Sequence, residues 1–308
     1  MTPAGEVVVP GSTANLGGGF DTLGLAVQLY LRVRILEVRQ DEGSRLEVVK
    51  STPVLRGRNA VERAFAAMAQ RTGRRTPTVV AEVESEIPTS AGLGSSAAAT
   101  VAGARVFEQV AGRVGDDVIL GVATALEGHA DNAAPSLHGG LTSVVQRDGH
   151  EPAVLKWQWP EDVRVVAATP FTGLATAKAR AALAPTIARK DAVFNLQHVL
   201  AFVHALQNRD YDRLKETVAD RWHQPARAEL VPHLAAVLGI DDPDVLGAFL
   251  SGAGPTVAVL ARQNFSRVER LLQSTCESVG VPVTVRTLRV HQSLEVPDVA
   301  VSAHGRTV

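Results

Sequence analysis

A glycine- and serine-rich segment at residues 88–99, PTSAGLGSSAAA, joins a predicted strand to a predicted helix. Residues 78–86 before it are rich in β-branched side chains, whereas apolar residues after it recur at helical spacing from Ala97 to Ala111. Its glycines allow positive φ and a close backbone approach, so successive amide groups can converge on an anion. The N-terminus of the following helix adds unpaired amides and partial positive charge. The segment therefore predicts a phosphate-binding loop.

Two other nucleotide-binding motifs fit this segment poorly. A P-loop requires a lysine directly after its last glycine, and no lysine in the chain follows a glycine. The dinucleotide fingerprint requires an acidic residue at the end of a second strand, but Asp116 and Asp117 begin a predicted helix. One alternative stays open, in which the segment is a flexible turn followed by a serine N-cap. In the binding interpretation, the hydroxyls of Ser95 and Ser96 contact phosphate or complete the shell of a Mg²⁺ ion.

The length and composition of the chain favour two domains that act on small ligands. At 308 residues the chain is long enough for two cores, and we place the domains at residues 1–160 and 161–300. The 31 basic and 32 acidic residues give a net charge of −1, which provides no footprint for nucleic acid or an anionic membrane surface. Cys276 is the only cysteine, which excludes an intramolecular disulfide and a cysteine-based zinc site.

Two further patterns concern the location of the protein. Residues 1–6 lack a basic segment followed by an apolar one, and no run of 18 apolar residues occurs in the sequence. We expect a cytoplasmic protein with neither nucleic-acid nor membrane partners.

Another glycine-rich loop lies earlier in the chain, at residues 10–24, and is called the first glycine loop here. It contains three consecutive glycines between Asn15 and Asp21. An ordinary hairpin turn is one interpretation of this loop. A polar residue on each side of the glycines also suits a small polar substrate, because Asn15 can both donate and accept hydrogen bonds. Asp21 can hold an ammonium or a hydroxyl group. We therefore predict that this loop binds the substrate.

Four polar residues, Glu127, His129, Asp131 and Asn132, occur within six positions of a segment rich in glycine and alanine. Glu127 is the predicted ligand of a Mg²⁺ ion beside the phosphates, because this cation takes oxygen ligands and few of them from protein. Metal-bound and structural roles for His129 are both open, but no second histidine stands at zinc-ligand spacing. We expect His129 to donate to a substrate oxygen instead.

Two arginines and a turn complete the predicted site. Solvent exposure is the default for Arg180 and Arg227, but two arginines from separate segments would grip a substrate carboxylate through paired hydrogen bonds. Residues 251–256, SGAGPT, precede a predicted strand. They form either a tight turn or a second glycine-rich wall of the same cleft.

These motifs together resemble the homoserine kinase family of the GHMP kinase superfamily over nearly the whole chain. Four motifs carry the resemblance: PGSTANLGGGFDTLG at 10–24, GLGSSAA at 92–98, EGHADNAAP at 127–135 and SGAGPT at 251–256. The resemblance implies an α+β fold with a ribosomal protein S5 domain 2-like N-terminal domain, a ferredoxin-like C-terminal domain and an active site between them. It also implies a homodimeric enzyme that uses ATP and Mg²⁺ to phosphorylate the side-chain hydroxyl of L-homoserine, a step of threonine biosynthesis.

The resemblance also assigns roles to residues by position. Eleven residues would contact ATP, with the first of them facing the adenine: Asn59, Pro88, Ser90, Ala91, Gly92, Leu93, Gly94, Ser95, Ser96, Ala97 and Ala98. Seven residues would contact homoserine, whose carboxylate would go to the arginines: Asn15, Asp21, His129, Asn132, Arg180, Arg227 and Gly252. Ser96 and Glu127 would hold Mg²⁺. Asn132 would lie at the reacting groups, and Asp131 is the candidate general base, although phosphoryl transfer does not require one.

Two departures from the family pattern concern these assignments. Gly18 stands where the family usually has proline. The interval from Glu127 to Asp131 is short, so the assignment of Glu127 as metal ligand assumes a deletion. Two alternatives also remain open: another GHMP kinase that acts on a different alcohol such as mevalonate or shikimate, and a catalytically inactive relative that binds a ligand.

Overall fold

The structure, a computed structural model, describes residues 5–54 and 59–292. Within these ranges the chain has an α+β organisation, with ten strands in two separate sheets. None of the helices in the described part of the chain has the length and hydropathy needed to cross a membrane.

Six strands from the first half of the chain form the larger sheet. They are β1 (Gly5–Ala14), β2 (Leu23–Val38), β3 (Leu46–Thr52), β4 (Val79–Ser85), β5 (Leu141–Arg147) and β6 (His150–Trp157). The order across the sheet is β3-β4-β2-β5-β6, and β1 also pairs with the long strand β2. Among these strands, β3 and β4 pair in parallel and the others pair antiparallel.

Four helices accompany the larger sheet, and the longest of them holds a central position. They are α1 (Ala60–Thr72), α2 (Ser95–Ala111), α3 (Asp116–Glu127) and α4 (Ala133–His138). Helix α2 contacts the other three helices and also strands β1 and β2. Its first residue directly follows the glycine- and serine-rich segment, so this packing fixes the place of the predicted phosphate-binding loop.

The second half of the chain forms a four-stranded antiparallel sheet. Its strands are β7 (Arg164–Pro170), β8 (Gly247–Leu250), β9 (Val257–Ala261) and β10 (Val283–Leu288), in the order β10-β7-β9-β8. Its helices are α5 (Thr176–Ala181), α6 (Arg189–Gln207), α7 (Leu214–Thr217), α8 (His223–Arg227), α9 (Leu234–Leu238) and α10 (Phe265–Ser278). A short 3₁₀ turn precedes α7, and another follows α8.

The larger apolar core draws residues from both halves of the chain. It contains Phe107 of α2 together with Val165 of β7 and Phe249 of β8, all of them fully buried. A second core lies within the four-stranded sheet and α10, around residues such as Leu272. The predicted boundary at residue 160 falls between β6 and β7, but it stays a prediction because the larger core extends across it.

Helices α1 and α2 approach each other closely, and the local sequence explains why. Asn59 caps α1 by accepting a hydrogen bond from the Val61 amide at 2.9 Å. In α2, a Cβ added at Gly103 would lie 2.1 Å from the carbonyl oxygen of Val61. The two backbones can therefore pack in this register only because residue 103 has no side chain.

We expect Gly103→Ala to lower the free energy of unfolding by about 1–3 kcal/mol, because the added methyl group overpacks a backbone contact that cannot move away. Gly121→Ala in α3 is a matched control, since its Cβ would meet only the carboxylate end of Glu151, which lies near the surface. There the better helix propensity of alanine should raise stability by up to about 1 kcal/mol. Urea denaturation of the two variants measures both effects, and a destabilisation of equal size in both would contradict this account of the α1–α2 contact.

Most of the elements predicted from periodicity are confirmed, with ends that differ by a few residues. The helical spacing from Ala97 to Ala111 corresponds to α2, the predicted helix that begins at Asp116 corresponds to α3, and the predicted strand after residues 251–256 corresponds to β9. Hydrophobic periodicity does not predict β3, β5, β8 or the short helices α4, α7, α8 and α9. These elements are short, and several depend on pairing with distant strands and not on a strong local pattern.

Candidate active site

A cavity of about 430 Å³ opens where the loops of the larger sheet meet helices and turns from the second half of the chain. Sixteen of the twenty residues predicted to form the site line this cavity: Asn15, Asp21, Ser90, Ala91, Gly92, Gly94, Ser95, Ser96, Ala97, Glu127, His129, Asp131, Asn132, Arg180, Arg227 and Gly252. Segments more than 200 positions apart in the sequence thus meet in one place. The cavity is the candidate active site.

The other four predicted residues lie beside this cavity. Asn59 lines a second cavity of about 210 Å³, which shares Ser90, Ser95 and Ser96 with the first. Pro88 and Leu93 line a third cavity of about 330 Å³. Ala98 is fully buried within α2. The second cavity continues from the glycine- and serine-rich loop, so its position suits the base of a bound nucleotide, whereas Ala98 has no exposed surface for a ligand.

The glycine-serine loop, residues 88–98, presents the start of α2 to the cavity. Gly92 and Gly94 have φ values of +80° and +71°, and added Cβ atoms would lie 2.3 Å from the Ser251 carbonyl oxygen and 2.1 Å from Ser12 Oγ. Gly94 is the N-cap of α2, and no side chain of the described residues caps this helix with a hydrogen bond. The alternative of a serine N-cap is therefore wrong. The first amides of α2 are free to bind an anion.

The turn at residues 251–256 braces this loop from the second half of the chain. Ser251 Oγ donates to the Gly92 carbonyl at 2.6 Å, and the Thr256 amide donates to the Ala91 carbonyl at 3.2 Å. These contacts support the prediction that the turn is a second wall of the cleft. They also attach the glycine-serine loop to the second half of the chain.

Glu127, the last residue of α3, reaches the glycine-serine loop despite its short interval to Asp131. Its Oε1 atom accepts hydrogen bonds from Ser96 Oγ and Thr100 Oγ1, each at 2.9 Å. The carboxylate and the Ser96 hydroxyl are hard oxygen donors beside the anion-binding amides, which is the donor chemistry that Mg²⁺ prefers. Thr100 was not predicted, although it stands one helical turn after Ser96.

The first glycine loop carries an ion pair into the cavity. Arg180 donates to both carboxylate oxygens of Asp21, at 2.7 and 3.1 Å. Asn15 accepts from the Asp21 amide at 3.1 Å and donates to the Gly252 carbonyl at 2.9 Å. Arg180 lies in the last turn of α5. One positive and one negative group are therefore placed side by side at this end of the cavity.

Arg227 is fully buried, so the default of a solvent-exposed arginine is wrong for this residue. Its Nε atom donates to the Ala179 carbonyl at 3.2 Å, and its Nη1 atom donates to the Gly252 carbonyl at 3.1 Å. Burial, and then the positive charge of Arg180, lower the pKa of its guanidinium. Arg227 still lines the cavity, so a bound carboxylate would relieve this unfavourable environment.

Phe20 lies close to both arginines and was not predicted as a site residue. The guanidinium carbons of Arg180 and Arg227 lie 5.7 and 5.4 Å from its ring centroid. These distances allow a cation–π attraction to each arginine. The ring is therefore an apolar part of the cavity lining that contacts both positive groups.

His129 and Asp131 form a short hydrogen bond of 2.5 Å between Nδ1 and Oδ1. Burial opposes a positive charge on His129, but the hydrogen bond and charge of Asp131 together outweigh it and raise the pKa of His129 above its usual value. The proton lies on Nδ1, because an ionised carboxylate only accepts hydrogen bonds. Beside this pair, Asn132 Oδ1 accepts from Ser12 Oγ at 3.0 Å. His129 therefore has Nε2 available for a ligand.

Comparison with known proteins places these features in a family context. The chain matches the family model of the GHMP kinases N terminal domain over residues 59–140 and that of the GHMP kinases C terminal over residues 202–278. A curated homoserine kinase from Persephonella marina is 34% identical over 281 residues, which are 90% of this chain and 92% of that protein. A homoserine kinase from Deinococcus radiodurans is 40% identical over 253 residues, 82% of each protein.

Solved structures give the same result for the fold. The crystal structure of homoserine kinase from Cytophaga hutchinsonii matches with a TM-score of 0.80 and 26% identity, over 94% of this chain and 95% of that chain. The mevalonate kinase of Methanococcus jannaschii matches with a TM-score of 0.66 and 16% identity, over 93% and 98% of the two chains. The second similarity concerns the fold alone. The chain therefore has the α+β two-domain GHMP kinase fold.

Proposed function

This chain belongs to the homoserine kinase family of the GHMP kinases, and we propose on that basis that it transfers the γ-phosphoryl group of ATP to the side-chain hydroxyl of L-homoserine. The product would be O-phospho-L-homoserine, an intermediate of threonine biosynthesis. One observation carries the proposal: a loop built for phosphate and a pair of opposite charges suited to an amino acid line the same cavity. A cytoplasmic location, where ATP is supplied, follows from this activity.

The nucleotide would lie along the glycine-serine loop. The free amides of α2 and the helix dipole would receive its phosphates, and the cavity lined by Asn59 would receive its base. Ser96 and Glu127 fit a Mg²⁺ ion, which would neutralise charge on the β- and γ-phosphates when bound. Thr100 would orient the Glu127 carboxylate from the next turn of α2.

Homoserine would occupy the other end of the cavity. Its carboxylate would be held by Arg180 and Arg227, its ammonium by Asp21 and its hydroxyl by Asn132. The ion pair between Asp21 and Arg180 supports this placement, because it sets one negative and one positive group side by side in the cavity. A zwitterion can satisfy both partners when it separates them, whereas an alcohol with one charge would leave one partner unpaired.

Positioning would account for most of the catalysis. Alignment of the hydroxyl with the γ-phosphate can lower the barrier by ~7–11 kcal/mol, and a preorganised donor at developing charge by ~3–4 kcal/mol. A general base would contribute less, about 10²–10⁴-fold. Asp131 is already hydrogen-bonded to His129, so we assign it to holding His129 and retain it only as a candidate base.

The direct test is a coupled assay of ADP release with Mg·ATP and a panel of alcohols. We expect the highest kcat/KM with L-homoserine and much lower values with L-serine, L-threonine and mevalonate. Serine shares the zwitterion but has a shorter side chain, and mevalonate has a carboxylate but no ammonium. A preference for mevalonate would identify another GHMP kinase. A failure to release ADP with any of the alcohols would identify an inactive relative. Either result would overturn the proposal.

We also propose that the enzyme is a homodimer that pairs through α6. Three side chains form an exposed apolar stripe on this helix: Val193 (44% exposed), Leu196 (66%) and Leu200 (72%). They fall within about 60° of one another around the helix axis, since each residue advances about 100°. A second copy of α6 packed against it about a two-fold axis would cover the stripe with the same residues.

Leu200→Asp should convert this dimer to monomer, because the interface would bury an unpaired carboxylate near its two-fold axis. Light scattering after size-exclusion chromatography should give about twice the 32.5 kDa of one chain for the unmodified protein. It should give the monomer mass for the variant. Val279→Asp, at an exposed apolar position directly after α10, is the control and should stay dimeric. A monomeric unmodified protein would contradict this proposal.

A further inference from the structure

His223, the first residue of α8, is fully buried beneath the proposed substrate end of the cavity. Its Nε2 atom lies 2.9 Å from the Gly17 carbonyl oxygen, and its Nδ1 atom lies 3.1 Å from Nη1 of Arg227. Its ring stacks on Phe20 with centroids 5.4 Å apart and planes 24° from parallel. One imidazole thus connects the first glycine loop, the aromatic wall and the buried arginine.

The two hydrogen bonds fix the tautomer of His223. A guanidinium has only donors, so Nδ1 must accept from Arg227. A backbone carbonyl only accepts, so Nε2 must carry the proton and donate to Gly17. The geometry therefore requires the neutral imidazole with its proton on Nε2.

We propose that His223 is a positioning residue that holds Arg227 in place for the substrate carboxylate and acts only in this neutral form. The inference rests on the proposed function, because it takes Arg227 as a ligand of homoserine. It goes beyond that function by assigning the orientation of the arginine to a side chain that does not line the cavity.

The position of Arg227 depends on His223 because this histidine supplies one of the three hydrogen bonds that hold the guanidinium. The Ala179 and Gly252 carbonyls hold Nε and Nη1, and His223 accepts a second hydrogen bond from Nη1. The same histidine ties the arginine to Gly17, whose backbone has φ +81° and lies against Val218. The carboxylate clamp and the loop that carries Asp21 are therefore held in register by one ring.

A second proton on His223 would break this arrangement. Protonated Nδ1 would point an N–H group at the N–H of Arg227 and place two positive charges together in a buried space. The charged groups that act on His223 are Asp220 just before α8, Arg227 one turn along α8 and Asp21 in the first glycine loop. Burial lowers the pKa of His223 below its usual value, and the negative charge of Asp220 opposes this only in part. The neutral form therefore prevails near pH 7.

The test compares three proteins by their KM for homoserine between pH 5 and 8.5. His223→Leu fills the space of the ring with an apolar side chain that makes no hydrogen bonds. It should raise this KM about tenfold at pH 7.5, with little change in the KM for ATP. His223→Gln offers one donor and one acceptor and does not titrate. It should keep KM within about threefold of the unmodified enzyme at pH 7.5.

The pH profile separates positioning from simple packing. In the unmodified enzyme, KM for homoserine should rise as the pH falls below 6.5 through the lowered pKa of His223. This rise should disappear in His223→Gln. His129 is present in all three proteins, so any pH dependence that it contributes is common to the three profiles and does not affect their comparison.

Each result has a defined meaning. An unmodified enzyme that does not phosphorylate homoserine would refute the proposed function. An active enzyme whose homoserine KM is unchanged in a folded His223→Leu variant would refute the role of His223 alone. Thermal denaturation establishes whether that variant folds. If it does not, the His223→Gln profile decides, and a rise at low pH equal to that of the unmodified enzyme would overturn the inference.

Discussion

Replacement of Glu127 by glutamine is expected to lower kcat for homoserine phosphorylation about 10²- to 10³-fold, the range seen when one preorganised electrostatic contact is removed. Glutamine keeps the shape of the side chain and can still bond the hydroxyls of Ser96 and Thr100. It lacks the negative charge that would hold Mg²⁺ beside the phosphates. Steady-state assays over a range of Mg²⁺ concentrations should show a higher requirement for the cation as well.

Asp117→Asn is the matched control for this variant. Asp117 lies on the same helix, α3, but is exposed and is not part of the cavity lining. The control should keep the activity of the unmodified enzyme, and both variants should have the same unfolding temperature as the unmodified enzyme. Activity of Glu127→Gln within about threefold of the unmodified enzyme would remove Glu127 from the metal site, because the loss of such a contact costs far more.

Replacement of Arg227 by methionine should raise the KM for homoserine about 10- to 100-fold and also destabilise the fold. The change removes hydrogen bonds to the charged substrate carboxylate, and it leaves the Ala179 carbonyl and His223 Nδ1 without their buried donor. An unpaired buried carbonyl costs about 1–3 kcal/mol, so a decrease of a few kcal/mol in the free energy of unfolding is expected. The KM for ATP should stay nearly unchanged.

Arg180→Met separates binding from stability. This arginine would contact the same carboxylate, but its side chain is 35% exposed and its ion pair with Asp21 lies partly in solvent. Such pairs contribute about 0–1 kcal/mol to stability. The homoserine KM should therefore rise as it does in Arg227→Met, whereas the denaturation midpoint should change little. An unaltered homoserine KM in either variant would remove that arginine from the substrate site.

The parts of this protein that could be predicted from sequence are those with strong local signals. The strand, glycine-rich loop and helix at residues 78–111 were predicted because the change in hydrophobic period is local and the glycines mark the turn between them. Asn15, Asp21 and Glu127 could be selected because polar residues stand out among glycines and alanines. The structure brings these residues to one cavity, and their individual roles stay proposals.

The parts that could not be predicted depend on contacts between distant segments. Strand β8 has four residues, and its backbone hydrogen bonds come from pairing with β9. His223 and Gly17 are 206 positions apart, so nothing near either residue signals their hydrogen bond. The burial of Arg227 likewise results from the contacts of α8 with α5 and with the turn at residues 251–256. Thr100 is the exception, because its spacing of one helical turn from Ser96 was visible in the sequence.

The most direct test of phosphoryl transfer to homoserine is ³¹P NMR of a reaction that contains the protein, Mg·ATP and L-homoserine. A phosphate loop and an amino-acid site in one cavity predict a new phosphomonoester signal, coupled to the methylene protons of the homoserine side chain and formed in equal amount to ADP. The same mixture with Glu127→Gln should form this signal far more slowly. Release of inorganic phosphate without a homoserine ester, or no consumption of ATP at all, would contradict the proposed homoserine kinase activity.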